Sequence, residues 1–290
     1  MPDKRTSPAK RVRGQLRNAG LRARKGLGQH FLIDKSVRDI IIDAAELSSS
    51  DIVLEVGPGL GVLTEELVKK ASRVIAVELD HNLALRLGRK LTSQHNFELI
   101  NSDILELDLR KVLGKTAEYK VVANIPYYIT SPILHYFMRS KLKPVLMVVM
   151  VQEEVARAIA AKPGDMSFLS VSLQVYSRPE VVCRVPANSF YPPPKVESAV
   201  VRFRILDEPA VTVDDMQCFL KIVQAGFAAP RKQLRNSLAL GLNIEPVNAV
   251  KILEKAGLNP KRRAETLTLG EWQDLYSCVI AVKGGASNQC

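Results

Sequence analysis

The sequence is poor in acid, cysteine and tryptophan. Its 290 residues hold 30 Asp and Glu against 41 Lys and Arg, for a net charge of +11. Four cysteines, Cys183, Cys218, Cys278 and Cys290, lie far apart. That spacing excludes a disulfide-dense scaffold and any cysteine metal cluster, so no metal site is expected. No apolar run approaches the roughly 18 residues of a membrane span. The longest, Pro144 to Val151, suits a buried strand, and no membrane partner is expected. An apolar share of 47% and a charged share of 24% are ordinary for a globular chain, which at this length has room for one large and one small domain.

The positive charge is concentrated. Between Met1 and Gly26, nine lysines and arginines stand against one acid, Asp3. This stretch shows no apolar period and no clear amphipathic helix. It reads as a basic tail, residues 1–26, disordered when free. Such a tail serves as a phosphate-binding arm, a solubilising segment or an organellar transit peptide.

Beyond it, apolar runs alternate with helical spacing. Strands are predicted over 52–56, 73–77, 97–100, 119–123 and 145–151, with helices over 60–70, 83–91 and 130–139. This alternation means a parallel sheet with helices on both faces, an α/β fold. Two further runs, Phe168–Tyr176 and Val196–Ile205, have no clear helix between them. They are expected to pair antiparallel at one sheet edge. A polar, proline-bearing connection at Leu206–Asp214 marks a boundary, so the α/β domain is placed at 27–207 and a helical domain at 208–290. Helices there are expected over 216–228, 231–240, 247–256 and 271–281.

Ligands of open α/β sheets bind beyond the carboxyl ends of the strands. Those ends carry Gly57-Pro-Gly59-Leu-Gly61, then Glu78, Asp103 and Asn124. The glycine spacing departs from the dinucleotide fingerprint, because Val62 stands where its third glycine belongs. Nothing nearby offers a second nucleotide-binding half, which argues against a nicotinamide enzyme. Glu78 has acceptor sites for two ribose hydroxyls, and Asp103 can accept from an adenine amine. The set matches S-adenosylmethionine, an adenosine derivative with no pyrophosphate to neutralise.

Four motifs go further: Gly28-Gln-His-Phe-Leu32, Glu55-Val-Gly-Pro-Gly-Leu-Gly61, Asn124-Ile-Pro-Tyr127 and Phe190-Tyr-Pro-Pro-Pro-Lys-Val-Glu-Ser-Ala-Val200. Together they resemble the ribosomal RNA adenine N6,N6-dimethyltransferases, the small-subunit kind rather than the macrolide-resistance kind. The resemblance runs from about Lys25 to about Val282. It implies a Rossmann-like class I methyltransferase domain with a smaller all-helical C-terminal domain. It places cofactor contacts on His30, Leu32, Gly57, Gly59, Glu78, Asp103 and Asn124. The family often has Asn where this chain has His30. Many members carry two arginines before a lysine where this chain has Pro230-Arg231-Lys232.

The reaction expected at Asn124 follows from the chemistry of the adenine amine, whose lone pair is delocalised into the ring. The Asn124 side-chain oxygen and the Ile125 carbonyl can each accept one of its N–H bonds and aim the lone pair at a sulfonium methyl. Pro126 fixes the turn. Tyr127 can stack on the extruded base, worth roughly 1–3 kcal/mol, and Phe190 resembles the family residue that closes its other face. A once-methylated amine still offers one N–H, so a second transfer is allowed. Arg231, Lys232 and Arg235, with Lys261, Arg262 and Arg263, form basic clusters expected to hold RNA phosphates. The expected partner is small-subunit ribosomal RNA on an assembling subunit, met in the cytoplasm by a monomer. An assembly or transcription factor of the same fold that binds RNA without methyl transfer is the competing reading.

Overall fold

The computed structural model describes residues 7–18, 22–24, 26, 28–114 and 118–283. Its first helix, α1 (Pro8–Asn18), lies inside the stretch expected to be disordered. Val12 and Leu16 are buried, and they pack with Phe31, Leu60 and Leu83. These two residues, one helical turn apart, form an apolar stripe opposite the arginines, an amphipathic pattern that the weight of basic residues hid. The stripe is wide enough to dock one helix, which corrects the expectation for residues 8–18.

After the short strand β1 (Phe31–Leu32), helix α2 (Lys35–Ala44) starts where the Asp34 carboxylate accepts the N–H groups of Ser36 and Val37. That is ordinary N-capping. The alternation then runs β2 (Ile52–Val56), α3 (Thr64–Lys70), β3 (Arg73–Glu78), α4 (His81–Lys90), β4 (Phe97–Asn101), α5 (Leu109–Leu113), β5 (Lys120–Asn124), α6 (Thr130–Arg139) and β6 (Leu146–Gln152). Next come α7 (Glu153–Ile159) and α8 (Phe168–Gln174), followed by β7 (Ser177–Val185), β8 (Phe190–Tyr191) and β9 (Ser198–Ile205).

The main sheet has seven strands in the order β4-β3-β2-β5-β6-β9-β7. The first five are parallel, and β9 runs antiparallel to β6. Chain order reverses between β2 and β5. That switch point places the tips of β2, β3, β4 and β5 around one crevice. Both faces of the central strands are covered, so Val53, Leu54, Val74, Ile75, Val121 and Val122 are all fully buried.

The edge pairing holds a second correction. Phe168–Tyr176 is not a strand. Its Leu-Ser-Val-Ser-Leu core mimics the period of two, but Ser167 and Ser170 form a reciprocal capping box that starts α8. The buried hydroxyls of Ser170 and Ser172 donate to the carbonyls of Ser167 and Leu169 at 2.8 and 3.0 Å. Back-bonded serines can therefore sit inside as apolar residues do. The edge strand beyond β9 is β7 instead.

The chain divides into two compact units, residues 1–156 with 178–205, and residues 157–177 with 206–290. Segment 157–177 joins the second unit because Val171 of α8 and Val175, which caps it, belong to its core, with Phe219, Leu238 and Trp272. That unit is helical: α9 (Met216–Gly226), α10 (Leu234–Leu242), α11 (Pro246–Lys255) and α12 (Leu269–Lys283). A Cβ on Gly241 would lie 2.3 Å from Ala225 Cα, so α9 and α10 pack at a distance only glycine permits.

Candidate active site

Two adjoining hollows open at the switch point and share Gln29, Gly57, Glu78 and Pro126. Together they form one cleft. At one end lie His30, Leu32, Asn124, Ile125 and Tyr127. At the other lie Asp103, Ile104, Ile129 and Ile133.

The glycine turn lies between them. Gly57 and Gly59 have φ of 69° and 57°, left-handed values that cost a residue with a Cβ. The Gly59 N–H donates to Glu78 Oε2 at 2.9 Å, and the Asp80 N–H donates to Oε1 at 2.9 Å. These two bonds hold the carboxylate at the end of β3. Burial pushes its pKa upward, against the pull of the two N–H groups. Each oxygen keeps an acceptor position for a further donor. Asp103 caps the short turn over Ile104–Glu106 by accepting the Leu105 N–H through Oδ1 at 2.9 Å. Its Oδ2 accepts no hydrogen bond among the described residues.

The β5 tip is more constrained. Asn124 Nδ2 donates to the His30 carbonyl at 3.2 Å, which orients the amide. Its Oδ1 and the Ile125 carbonyl accept no hydrogen bond among the described residues. The Tyr127 hydroxyl is bonded to Ser198 Oγ at 2.5 Å, and burial holds its pKa above the usual phenol value. The His30 ring stacks on Tyr127 with centroids 5.8 Å apart and planes 18° apart. His30 Nδ1 lies 2.6 Å from the Pro192 carbonyl, which can only accept, so Nδ1 carries the hydrogen.

Arranged in this way, the cleft offers ribose acceptors, an adenine-amine acceptor with apolar walls beside it, and two open carbonyl acceptors at one end. S-adenosylmethionine fits that donor and acceptor set. The glycine turn removes the side chains that would fill the space over Glu78.

The family model for ribosomal RNA adenine dimethylase matches residues 20–279. A protein of Dehalococcoides mccartyi named ribosomal RNA small subunit methyltransferase A is 49% identical over 260 residues, covering 90% of this chain and 89% of its own. A relative of the same name in Pelotomaculum thermopropionicum is 43% identical, covering 94% and 97%. This chain belongs to the ribosomal RNA adenine dimethylase family.

Solved structures agree. A dimethyladenosine transferase from Plasmodium falciparum superposes with a TM-score of 0.75 at 26% identity, covering 88% of this chain and 98% of that one. The 23S rRNA methyltransferase ErmE does so at 0.68 and 30% identity, covering 86% and 98%. The fold is that of class I methyltransferases, and S-adenosylmethionine is the methyl donor of this dimethylase.

Not every residue singled out from the sequence reaches the dimethylase cleft. Phe190 is 2% exposed. Its pairing with Leu32 in the two-stranded β1–β8 ribbon turns its ring into the core with Val37, Ile41 and Leu63. It lines neither hollow of the cleft, so its burial lends the base-closing role no support. Arg262 is also engaged elsewhere. Its guanidinium bonds both Glu271 oxygens, Thr266 Oγ1 and the Thr266 carbonyl. It ties the 260–266 loop to the start of α12, and four of its five N–H donors are already used there. Arg263 lies 3.6 Å from Glu265.

Arg231, Lys232 and Lys261 are exposed, and Arg235 is half-buried. The first two precede α10 rather than sitting in it. The Leu234 N–H donates to the Arg262 carbonyl at 2.6 Å and the Arg235 N–H to the Pro260 carbonyl at 3.2 Å, so the two basic segments are adjacent.

Some site residues escaped the sequence reading. Gln29 bonds Asp80 at 3.2 Å, and Ser198 anchors Tyr127. Their positions inside the Gly28–Leu32 and Phe190–Val200 motifs were the available signal. Glu55, the first residue of the glycine motif, is 1% exposed, and burial, with the nearby Glu78 charge adding to it, pushes its pKa to about 8. Its neighbours along the chain do not disclose that.

Proposed function

We propose that this chain transfers methyl groups from S-adenosylmethionine to the N6 amine of adenines in small-subunit ribosomal RNA during subunit assembly. The substrate is two adjacent adenines, each taking two methyls, and the protein acts as a cytoplasmic monomer. The relatives at 43% and 49% identity carry the small-subunit name, which favours that subunit. They are bacterial proteins, so the organellar reading has no support from them.

The observation that carries the proposal is the pair of open acceptors at the β5 tip, Asn124 Oδ1 and the Ile125 carbonyl. An adenine amine has two N–H donors to match them. Once both are held, the nitrogen lone pair is turned out of the ring plane and fixed in direction. Alignment of this kind supplies most of the acceleration when the electrophile is already reactive. Bound S-adenosylmethionine supplies that electrophile, an activated sulfonium methyl. Pro126 (φ −56°) holds the turn that presents the Ile125 carbonyl. Tyr127, locked by Ser198 on one side and His30 on the other, keeps a ring available for the extruded base. Asn124 is neutral and stays an aligner, and the surplus proton leaves to water. His30, Leu32, Gly57, Gly59, Glu78 and Asp103 line the rest of the cleft and are assigned to the cofactor. Arg231, Lys232, Arg235, Lys261 and Arg263 are assigned to RNA phosphates.

The test is incubation with labelled S-adenosylmethionine and undermethylated small subunits, followed by mapping of modified bases. Label at the N6 of two neighbouring adenines is the expected result. RNA binding with no incorporated label would leave the assembly-factor reading in its place.

A further inference from the structure

We propose that the groove between α1 and the Tyr191–Pro192 turn is a binding site for the phosphodiester backbone of the target ribosomal RNA, placed to flank the adenine presented to Asn124. The proposal rests on the function just stated and adds a surface that includes residues of α1 lying before the family match, which begins at residue 20.

The groove is lined by Arg13, Leu16, Arg17, Arg22, Tyr191 and Pro192. Helix α1 divides its residues between two tasks. Val12 and Leu16, 8% and 4% exposed, dock the helix onto Phe31, Leu60 and Leu83. The last two also line the end of the cleft that holds Asn124 and Tyr127. Arg13 and Arg17 stand one turn apart on the exposed side, and Arg22 follows beyond the helix.

Charge points to the ligand. Arg13, Arg17 and Arg22 make no ion pair among the described residues, whereas Arg24 lies 3.5 Å from Asp80. Helix α1 has no acid in its first turn. Guanidinium groups stay charged at any physiological pH. Three of them held around one groove repel each other until a polyanion fills it. Successive phosphates of an RNA strand meet that need, and planar forks suit phosphate oxygens.

Position supports it as well. The groove wall at Pro192 is one hydrogen bond from His30, at 2.6 Å. His30 in turn stacks on Tyr127 and accepts from Asn124 through its carbonyl. A strand lying in the groove therefore passes beside the residues that receive the extruded base. Phosphates gripped there hold the backbone on one side while the base leaves the stack.

The experiment uses the full chain with small-subunit rRNA, measuring the dissociation constant across a salt series. For single-stranded RNA each lost contact flattens the log–log salt slope by about 0.7. The variant Arg13→Ala/Arg17→Ala/Arg22→Ala is expected to lose about 2 units of slope and about tenfold or more in affinity at low salt. Its S-adenosylmethionine affinity, read by calorimetry, stays at the wild-type value. The corresponding triple lysine variant recovers the slope, because charge and not packing is what the groove supplies. A slope lost in the alanine variant supports the site whether or not methyl is transferred. A slope retained in it overturns the site, even if the wild type methylates the RNA at full rate.

Discussion

Replacing Asn124 by alanine tests the centre of the proposed chemistry. The side chain makes one hydrogen bond to the protein, Nδ2 to the His30 carbonyl at 3.2 Å. Losing one half-buried bond of this kind costs about 1 kcal/mol of stability, a fall in Tm of about 2–4 °C for a chain of this size. The cofactor keeps Glu78, Asp103 and the glycine turn, so its affinity is expected to stay within about tenfold, or about 1.4 kcal/mol. The target nitrogen, however, loses one of the two acceptors that aim it. Removal of a single preorganised hydrogen-bonding group at a reacting centre lowers kcat by about 100- to 1000-fold, about 2.7–4 kcal/mol. The assay is single-turnover methyl transfer from labelled S-adenosylmethionine to undermethylated subunits, which separates chemistry from product release. Cofactor affinity is measured in parallel. A single-turnover rate within about threefold of wild type would remove Asn124 from the reaction.

Other outcomes follow from particular side chains. Glu55 holds a proton in the folded state up to about pH 8, while an unfolded Glu releases it near pH 4.5. The folded state thus binds the extra proton, so stability is lost as pH rises through that interval, by about 1.4 kcal/mol per unit and about 5 kcal/mol at most. Glu55→Gln should match wild type in thermal melts at pH 4.5 and exceed it at pH 8; equal melting at both would show that the carboxyl titrates normally. In the helical unit, Arg231→Glu with Lys232→Glu should flatten the salt dependence of RNA binding. Arg262→Ala should leave that slope unchanged and lower stability by about 1–3 kcal/mol, as an ion pair with several hydrogen bonds is lost. A slope change for Arg262→Ala in filter binding would return it to the RNA surface.

Much of the cleft was legible because it is written locally. Apolar runs ended by glycine or by a polar residue mark strand tips, and Gly57, Glu78, Asp103 and Asn124 all stand at such tips. Parallel α/β topology then gathers them without further information. The misread segment 168–176 shows the limit of periodicity. Alternating serine and leucine looks two-sided until the serines bond their own helix, and then one pattern serves either structure.

What the chain order alone determined is the set of strand ends and the backbone each demands: glycines where φ is positive, a proline where the turn must be stiff, carboxylates and an amide just beyond. These depend on adjacent residues, and adjacency is what a sequence records. What tertiary structure decided is which side chains have their bonding capacity already used. Phe190 vanished into the core through its pairing with Leu32, Arg262 was consumed by Glu271, and a tail of arginines became a docked helix through Val12 and Leu16. Each outcome depends on a partner tens of residues away or on a contact between separate elements. Short-range pattern carries no record of such a partner, because burial and pairing exist only once the chain has closed on itself.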